Sequence, residues 1–149
     1  MAATHYYNVQ LTWDNERKGT LRSDVLNHHL EVATPPEFPK GMPGIWSPEH
    51  LLVAAVNSCL MTTFLAVAEN FKLPFTHFES NATGKLEVVD GKYMISEIEL
   101  IPVLTITDEA DREKADKVLV KAEAACLISN SVKSTIIFKP AVLIQELVS

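Results

Sequence analysis

The feature that most constrains this chain is an uncharged run of 18 residues, Leu51 to Ala68, near the middle of the sequence. It follows the letters SPEH, in which Ser47 suits the N-cap of a helix and Pro48 suits the first helical position. Glu49 adds a negative charge beside the free N–H groups of the first turn. The pattern predicts a central helix over 47–71, and a helix that is apolar on nearly all sides must be covered on every side.

A run of this length could also span a membrane. Four polar side chains interrupt it near its middle, namely Asn57, Ser58, Thr62 and Thr63. The chain has no second run of this kind, and the rest of the sequence is amphipathic. We therefore interpret it as the buried helix of a soluble domain. One small sheet covers only one face of a helix, so the sequence predicts that a second copy of the chain covers the rest.

The segments around this helix predict strands and one further helix. Alternating or β-prone residues indicate strands, and a proline-rich segment indicates a stiff connector. The pair Asp90-Gly91 marks the tight turn of a hairpin, and an apolar stripe at helical spacing indicates the second helix. The predicted elements are strands over 5–33, a connector over 34–46, a hairpin over 77–107, a second helix over 108–127 and a final strand over 132–147. Together they predict a single α+β domain, 1–149, with helices on one side of an antiparallel sheet.

Composition and charge limit the partners of such a domain. The 149 residues, 47% of them hydrophobic, suffice for one ordinary domain with a folded core. A balance of 13 basic against 19 acidic residues gives a net charge of -6. This charge disfavours nucleic acid and anionic membranes, so a small molecule or a protein is expected as partner. The start of the sequence has no readable secretory signal, from which we expect a cytoplasmic protein.

The chain has two cysteines, Cys59 and Cys126. In a reducing compartment they are either buried inert thiols or a redox pair, and spacing alone favours inert thiols. A zinc site is disfavoured because no histidines lie at ligand spacing. Cys59 lies twelve residues past the predicted N-cap. The helix dipole fades within the first turn, so a reactive Cys59 would need another source of positive charge.

Three segments, taken together, resemble the OsmC/Ohr proteins, named for osmotically inducible protein C and organic hydroperoxide resistance protein. SPEHLLVAAVNSC is similar to the family's Pro-Glu-x-Leu helix start and first redox cysteine, and ERKG is similar to its early Arg-x-Gly. AACLISNSV resembles the second-cysteine segment, with a serine three positions after the cysteine. In the common pattern proline directly follows that cysteine, whereas this chain has Leu127.

The resemblance implies a role for each matching residue. Cys59 would be the peroxide-reactive cysteine, Cys126 the resolving cysteine, Arg17 the activating cation and Glu49 its carboxylate partner. Arg22 is an alternative to Arg17. These roles agree with physical chemistry: peroxide reduction needs a thiolate, burial raises a thiol's pKa, and a guanidinium nearby can lower it.

The resemblance also implies the activity and the assembly. Organic hydroperoxides would be reduced to alcohols, with a lipoyl-type or small dithiol as reductant and with no metal, flavin or other cofactor. The fold would be an intertwined homodimer whose sheets wrap around two long central helices. Apolar residues near the site, among them Met61, Phe64 and Leu65, would favour alkyl hydroperoxides over hydrogen peroxide.

Glu49 and Cys59 lie ten positions apart on one helix, about 15 Å along its axis. Within one helix they are therefore too far apart to share a site. We expect two antiparallel helices from two chains to bring Glu49 of one chain beside Cys59 of the other. Two alternatives remain open on the same scaffold. One is a non-catalytic carrier of an acyl or other apolar ligand, and the other is a thioesterase with a hot-dog-like fold that would use Glu49 or His50.

Overall fold

The structure is a computed structural model that describes residues 3–145. The chain divides between Leu51 and Leu52 into two compact units. The first unit contains a small sheet and the connector, and the second contains most of the central helix, a larger sheet and a second helix. These elements confirm the predicted α+β class.

A three-stranded antiparallel meander forms the first unit. Its strands are β1 (Gln10–Asn15), β2 (Lys18–Arg22) and β3 (Leu30–Ala33), in that order across the sheet. The prediction of a strand from residue 5 is wrong, because Gln10 pairs with Arg22, the last residue of β2, and leaves residues 5–9 without a partner strand.

The proline-rich connector folds back along β3. The Ala33 N–H donates to the Trp46 carbonyl at 2.8 Å, and the Met42 N–H donates to the Thr34 carbonyl at 2.9 Å. The central helix α1 (Pro48–Asn70) follows at once. Ser47 caps it, since its Oγ accepts from the His50 N–H at 3.1 Å. The local sequence signals therefore fix the start of α1.

The second unit continues through a long hairpin and a second helix. Strands β4 (His77–Val89) and β5 (Lys92–Ile106) pair along their whole length. Asp90 and Gly91, with φ of 50° and 78°, make the left-handed turn that joins them. A short 3₁₀ turn, Glu109–Asp111, precedes helix α2 (Arg112–Ala125), so the α-helix is shorter than predicted. The 3₁₀ turn is capped by Asp108, which accepts from the Ala110 N–H at 2.9 Å.

The last segment corrects the prediction of a wholly antiparallel sheet. Residues after α2 form two short strands, β6 (Thr135–Phe138) and β7 (Ala141–Ile144), instead of one strand over 132–147, whose last two residues lie outside the described residues. Both strands run parallel to β5, because α2 first carries the chain back along β5. Pro140, which has no N–H, separates them. The larger sheet is therefore mixed.

The core of the second unit lies between α1, β5 and α2. One face of α1 is fully buried there, with Val56, Leu60, Phe64 and Ala68 at 0–1% exposure. Phe64 stacks on Phe78 with ring centroids 4.6 Å apart. The opposite face of α1 stays exposed, with Met61 at 41% and Leu65 at 43%. A single chain thus buries this helix on one side only, and its cover by a second copy stays a prediction.

Helix α1 has the length and composition of a membrane span, with a mean hydropathy of 2.0 over its most apolar window. The core helix of a soluble domain has the same properties, so this feature alone decides nothing about a membrane.

Candidate active site

Arg17 lies in the two-residue turn between β1 and β2. The preceding residue, Glu16, has a positive φ of 47°, and the Arg17 carbonyl accepts from the Thr34 N–H at 3.2 Å. The guanidinium itself is exposed and makes no ion pair within residues 3–145. The alternative, Arg22, lies at the other end of β2, opposite Gln10.

A cavity of about 320 Å³ in the first unit borders Arg17. Its wall is mostly apolar and includes Leu11, Trp13, Val32 and Pro48. The Trp13 indole Nε1 donates to the Glu16 carbonyl at 3.0 Å, which holds the ring against the turn. Arg17 therefore places a cation beside this apolar space, which Arg22 does not line.

Gly19 explains the Arg-x-Gly spacing in physical terms. A Cβ at this position would lie 2.9 Å from the Thr12 carbonyl oxygen on the neighbouring strand, closer than side chains approach backbone. Only glycine therefore lets β1 and β2 pair this tightly next to the Arg17 turn.

Glu49 lies in the first turn of α1, as predicted from the sequence. Its Oε2 is buried and has no hydrogen-bond partner in the part of the chain that the structure describes. Within that part it forms no ion pair with Arg17. A buried carboxyl oxygen without a donor is costly, so Glu49 Oε2 can still accept a hydrogen bond from a further group.

Cys59 lies in the middle of α1, in the second unit. It is 8% exposed and unoxidised, and its Sγ lies 3.8 Å from the Thr63 Oγ1, one helical turn further on. Nearby residues proposed as substrate contacts differ in position: Met61 and Leu65 are exposed, whereas Phe64 is fully buried in the core. Phe64 therefore packs the core and does not line a substrate pocket.

Cys126 directly follows the last residue of α2. Its backbone is extended, with φ of −66° and ψ of 108°, so the chain leaves the helix here and turns into the segment 127–131. The side chain is fully buried as a free thiol. The structure brings this thiol near Cys59, and the Cys126 side chain is one of the groups that lower the pKa of Cys59.

The surroundings of Cys59 favour its thiolate. Burial by itself raises the pKa of Cys59, but four hydrogen-bond donors outweigh it and hold the pKa below the ordinary value. In order of effect these donors are the Ile128 backbone N–H, the Cys126 thiol, the Thr63 hydroxyl and the Leu127 backbone N–H. The sequence led us to expect a cation as the source of positive potential near Cys59. Within the second unit, backbone N–H groups supply part of that potential.

Cys126 has the opposite character. Burial raises the pKa of Cys126, and the neighbouring Cys59 raises it further, while the Ser129 hydroxyl and N–H lower it less strongly. Within the pair the thiolate is therefore favoured on Cys59 and the thiol on Cys126. A thiolate next to a thiol is the arrangement needed for a cysteine that is oxidised and then resolved as a disulfide.

Several residues that shape this site were not predicted from the sequence. Thr63, Leu127, Ile128 and Ser129 act on the two sulfurs, and Glu123 lies one turn before Cys126. Backbone donors have no residue-type signature, and only the departure at Leu127, where proline would have no N–H, pointed to one of them. No group of three His, Cys, Asp or Glu side chains able to hold a metal ion occurs within residues 3–145.

The fold and the paired cysteines define a class of α+β thiol proteins, and comparison with known proteins identifies the family. The model of the OsmC-like protein family matches residues 41–140. The chain belongs to the OsmC/Ohr family.

Relatives and solved structures agree with this assignment. The Bacillus subtilis protein YmaD is 25% identical over 142 residues, which cover 90% of this chain and 91% of YmaD. An OsmC-like protein of unknown function from Vibrio cholerae superposes with a TM-score of 0.81 at 23% identity, covering 92% of this chain and 99% of its own. An organic hydroperoxide resistance protein from Elizabethkingia anophelis superposes with a TM-score of 0.74 at 22% identity, covering 96% and 100%. At these identities the solved structures show a shared fold.

Proposed function

We propose that this protein is a thiol-dependent peroxidase that reduces organic hydroperoxides to alcohols with Cys59 and Cys126. The single observation that carries the proposal is the pair of buried, neighbouring cysteines, in which the pKa of Cys59 is lowered and the pKa of Cys126 is raised. The family includes proteins named for organic hydroperoxide resistance, such as those from Elizabethkingia anophelis and Legionella pneumophila, which agrees with a peroxide-related role.

In the first step the Cys59 thiolate attacks the terminal oxygen of the hydroperoxide. A sulfur–oxygen bond forms, the O–O bond breaks, and the alkoxide takes a proton and leaves as an alcohol. Cys59 has lost two electrons and becomes a sulfenic acid. The donors around Cys59 support this step because they stabilise the attacking thiolate.

In the second step Cys126 attacks the sulfur of this sulfenic acid. The disulfide bond forms, the sulfur–oxygen bond breaks, and hydroxide leaves with the Cys126 proton as water. A dithiol of the lipoyl type or a small thiol, in a cytoplasmic compartment, then reduces the disulfide through a mixed disulfide.

We further propose that a homodimer completes the site, with Arg17 and Glu49 of one chain serving Cys59 of the other. The buried Glu49 Oε2 without a donor and the exposed face of α1 support this proposal. Strand β1 adds to it, since Leu11 and Trp13 point the same way along the strand and stay 65% and 72% exposed. The Arg17 guanidinium would hold the peroxide oxygens and stabilise the leaving alkoxide.

A thiol titration tests the catalytic proposal. One equivalent of an alkyl hydroperoxide should remove both free thiols of the wild type and release one equivalent of alcohol. The Cys126→Ser chain is the matched control and should lose its single thiol with the same alcohol yield. If the wild type keeps both thiols and forms no alcohol, the peroxidase proposal fails and a carrier of apolar ligands is favoured.

Complementation tests the site in trans. An Arg17→Ala chain and a Cys59→Ser chain should each be strongly impaired alone. In mixed dimers one of the two sites is then intact, so activity should return to about half of the wild-type value per mixed dimer. No recovery after subunit exchange has been verified would show that each site is built within one chain.

A further inference from the structure

The small sheet of the first unit has two unlike faces. On one face polar side chains bind each other: Lys18 Nζ lies 2.6 Å from Glu31 Oε2, and the Thr20 hydroxyl donates to Asp14 Oδ2 at 2.6 Å. The other face carries apolar side chains of the three strands, and these side chains border the cavity beside Arg17. The apolar face is therefore the one that offers space for a ligand.

Three residues in register across the sheet shape a trough on this apolar face. Trp13 pairs with Gly19, and Gly19 pairs with Val32. Directly paired residues lie on the same face of a sheet, so a large ring, a bare backbone and a branched side chain follow one another across the strands. Gly19 is the floor of this trough, because it has no side chain. All three residues line the cavity of about 320 Å³, which lies at the small end of the range for ligand sites, about 300–1,000 Å³.

Trp13 forms a fixed wall of this Gly19 trough. Its indole is 72% exposed, and an exposed ring without a polar partner would change rotamer freely. The hydrogen bond from Trp13 Nε1 to the Glu16 carbonyl, at 3.0 Å, holds the ring in place. A ligand that covers the ring removes apolar surface from water without first having to order the wall.

The Gly19 trough has a cation at one end. Arg17 and Lys18 both border the cavity, but Lys18 is bound to Glu31, whereas Arg17 has no ion pair in the part of the chain that the structure describes. Leu11 lies two residues before Trp13 on β1, so it shares the apolar face and lies further from the turn that carries Arg17. A trough that leads from a cation past a ring to a leucine fits a molecule with a polar oxygen end and a flexible carbon tail.

We propose that the Gly19 trough binds the alkyl tail of a straight-chain hydroperoxide and that Trp13 sets this preference, an inference that rests on the peroxidase function proposed above. The peroxide oxygens lie at Arg17, and the tail extends past Trp13 toward Leu11. In the homodimer proposed above, Cys59 of the other chain meets the peroxide end. Trp13 and Leu11 contact only the tail, so they affect which substrate binds and leave the bond-breaking step to the cysteines.

The order of the two residues along β1 gives the proposal a sharp test. The rate constant kcat/KM is measured for n-octyl hydroperoxide, which has a tail, and for tert-butyl hydroperoxide, which has none. Trp13→Ala should lower the n-octyl value by about tenfold and the tert-butyl value by about twofold or less. Leu11→Ala should lower the n-octyl value by about threefold and leave the tert-butyl value unchanged, because only a long tail reaches Leu11.

Tyr7→Ala is the matched control for these variants. Tyr7 is an aromatic residue of the same unit, is 91% exposed and does not line the cavity. Both rate constants should keep their wild-type values in this variant. Leu11→Ala is the deciding variant if Trp13→Ala does not fold.

Binding of octanol, the product formed from n-octyl hydroperoxide, tests the trough without any turnover. The chain has two tryptophans, so Trp46→Phe leaves Trp13 as the only indole. Octanol should shift the emission of Trp13 to shorter wavelength in a saturable way, because the tail covers the ring, and tert-butanol should not. Adding Leu11→Ala to this chain should weaken octanol binding by about threefold.

Equal n-octyl rate constants in the wild type and both variants, or an emission of Trp13 that octanol does not shift, would overturn the proposal. If a second chain fills the trough instead, Trp13→Ala would make the dimer dissociate more readily on dilution and leave the ratio of the two rate constants unchanged. Failure of the peroxidase function is distinct from both outcomes. It would appear as wild-type protein that forms no alcohol from either hydroperoxide, while the octanol titration still reports on the trough.

Discussion

The two cysteines lie in one core but in regions of opposite character. For Cys59, in the middle of α1, burial raises the pKa, but the polar groups around its sulfur, mostly from the segment 126–128, lower it more. For Cys126, at the end of α2, burial has the largest effect on the pKa and raises it. The difference between the two cysteines depends on the segment that follows Cys126, because the backbone of Leu127 and Ile128 lowers the pKa of Cys59.

The largest expected effect follows from replacing Cys126 by serine. If the two thiols have different roles, Cys126→Ser keeps one fast turnover but loses cycling almost completely, and Cys59 becomes open to over-oxidation. Steady-state turnover with a dithiol and mass analysis of Cys59 measure this. Wild-type turnover in the variant would show that the contrast between the cysteines has no mechanistic meaning.

The next largest effect concerns Arg17, the proposed cation, which would act on Cys59 in addition to the groups compared above. Arg17→Ala should slow attack of Cys59 on an alkyl hydroperoxide at neutral pH by about tenfold or more, since one pKa unit is about 1.4 kcal/mol. Arg22→Ala is the matched control and should have little effect. The reverse result would move the cation role from the β1–β2 turn to the end of β2.

A smaller effect tests whether the turn after Cys126 activates Cys59. Leu127→Pro removes one N–H donor, and the extended backbone of Cys126 already suits a residue before proline. Since Leu127 is 64% exposed, the fold should tolerate the change. Thiol alkylation at neutral pH should slow by about threefold as the pKa of Cys59 rises. Leu127→Ala keeps the N–H and should alkylate at the wild-type rate; equal slowing of both variants would contradict the assignment.

The smallest expected effect is on stability. Burial raises the pKa of Glu123 in the folded protein, so the folded state holds this proton to a higher pH than the unfolded chain does. The stability that this proton contributes is full below the unfolded pKa of about 4.3 and is lost as the pH rises through the folded value. Glu123→Gln should therefore raise the unfolding midpoint at pH 8 by a few degrees relative to wild type, and less at pH 5. A pH-independent difference between the two proteins would contradict the raised pKa.

Local signals in the sequence predicted the elements that short-range chemistry controls. Ser47, Pro48 and Glu49 mark the start of α1, and Asp90-Gly91 marks the hairpin turn, because caps and left-handed turns depend on only a few neighbouring residues. The parallel pairing of β6 and β7 with β5 was not predictable in this way. Strand direction there depends on where α2 returns the chain, which no local pattern contains.

The candidate site likewise has residues that the sequence indicated and residues that it could not indicate. Resemblance to a family indicated Cys59 and Cys126, which lie far apart in sequence, and the structure brings them near enough for each to shift the pKa of the other. The amides of Leu127 and Ile128 could not be predicted as donors, since every residue but proline carries the same N–H group. The raised pKa of Glu123 could not be predicted either, because it comes from burial, which the sequence of α2 does not reveal.

If two chains pair through the exposed face of α1, with Met61 and Leu65, the stability and activity of this protein depend on its concentration. Pairing of two chains removes this apolar face from water, and it is a bimolecular event. The stability that the folded state gains from pairing therefore rises with protein concentration. Dilution would then lower the unfolding temperature and, with the site shared between chains, the activity per chain. With the site shared in this way, doubling the number of copies in a cell would more than double the activity.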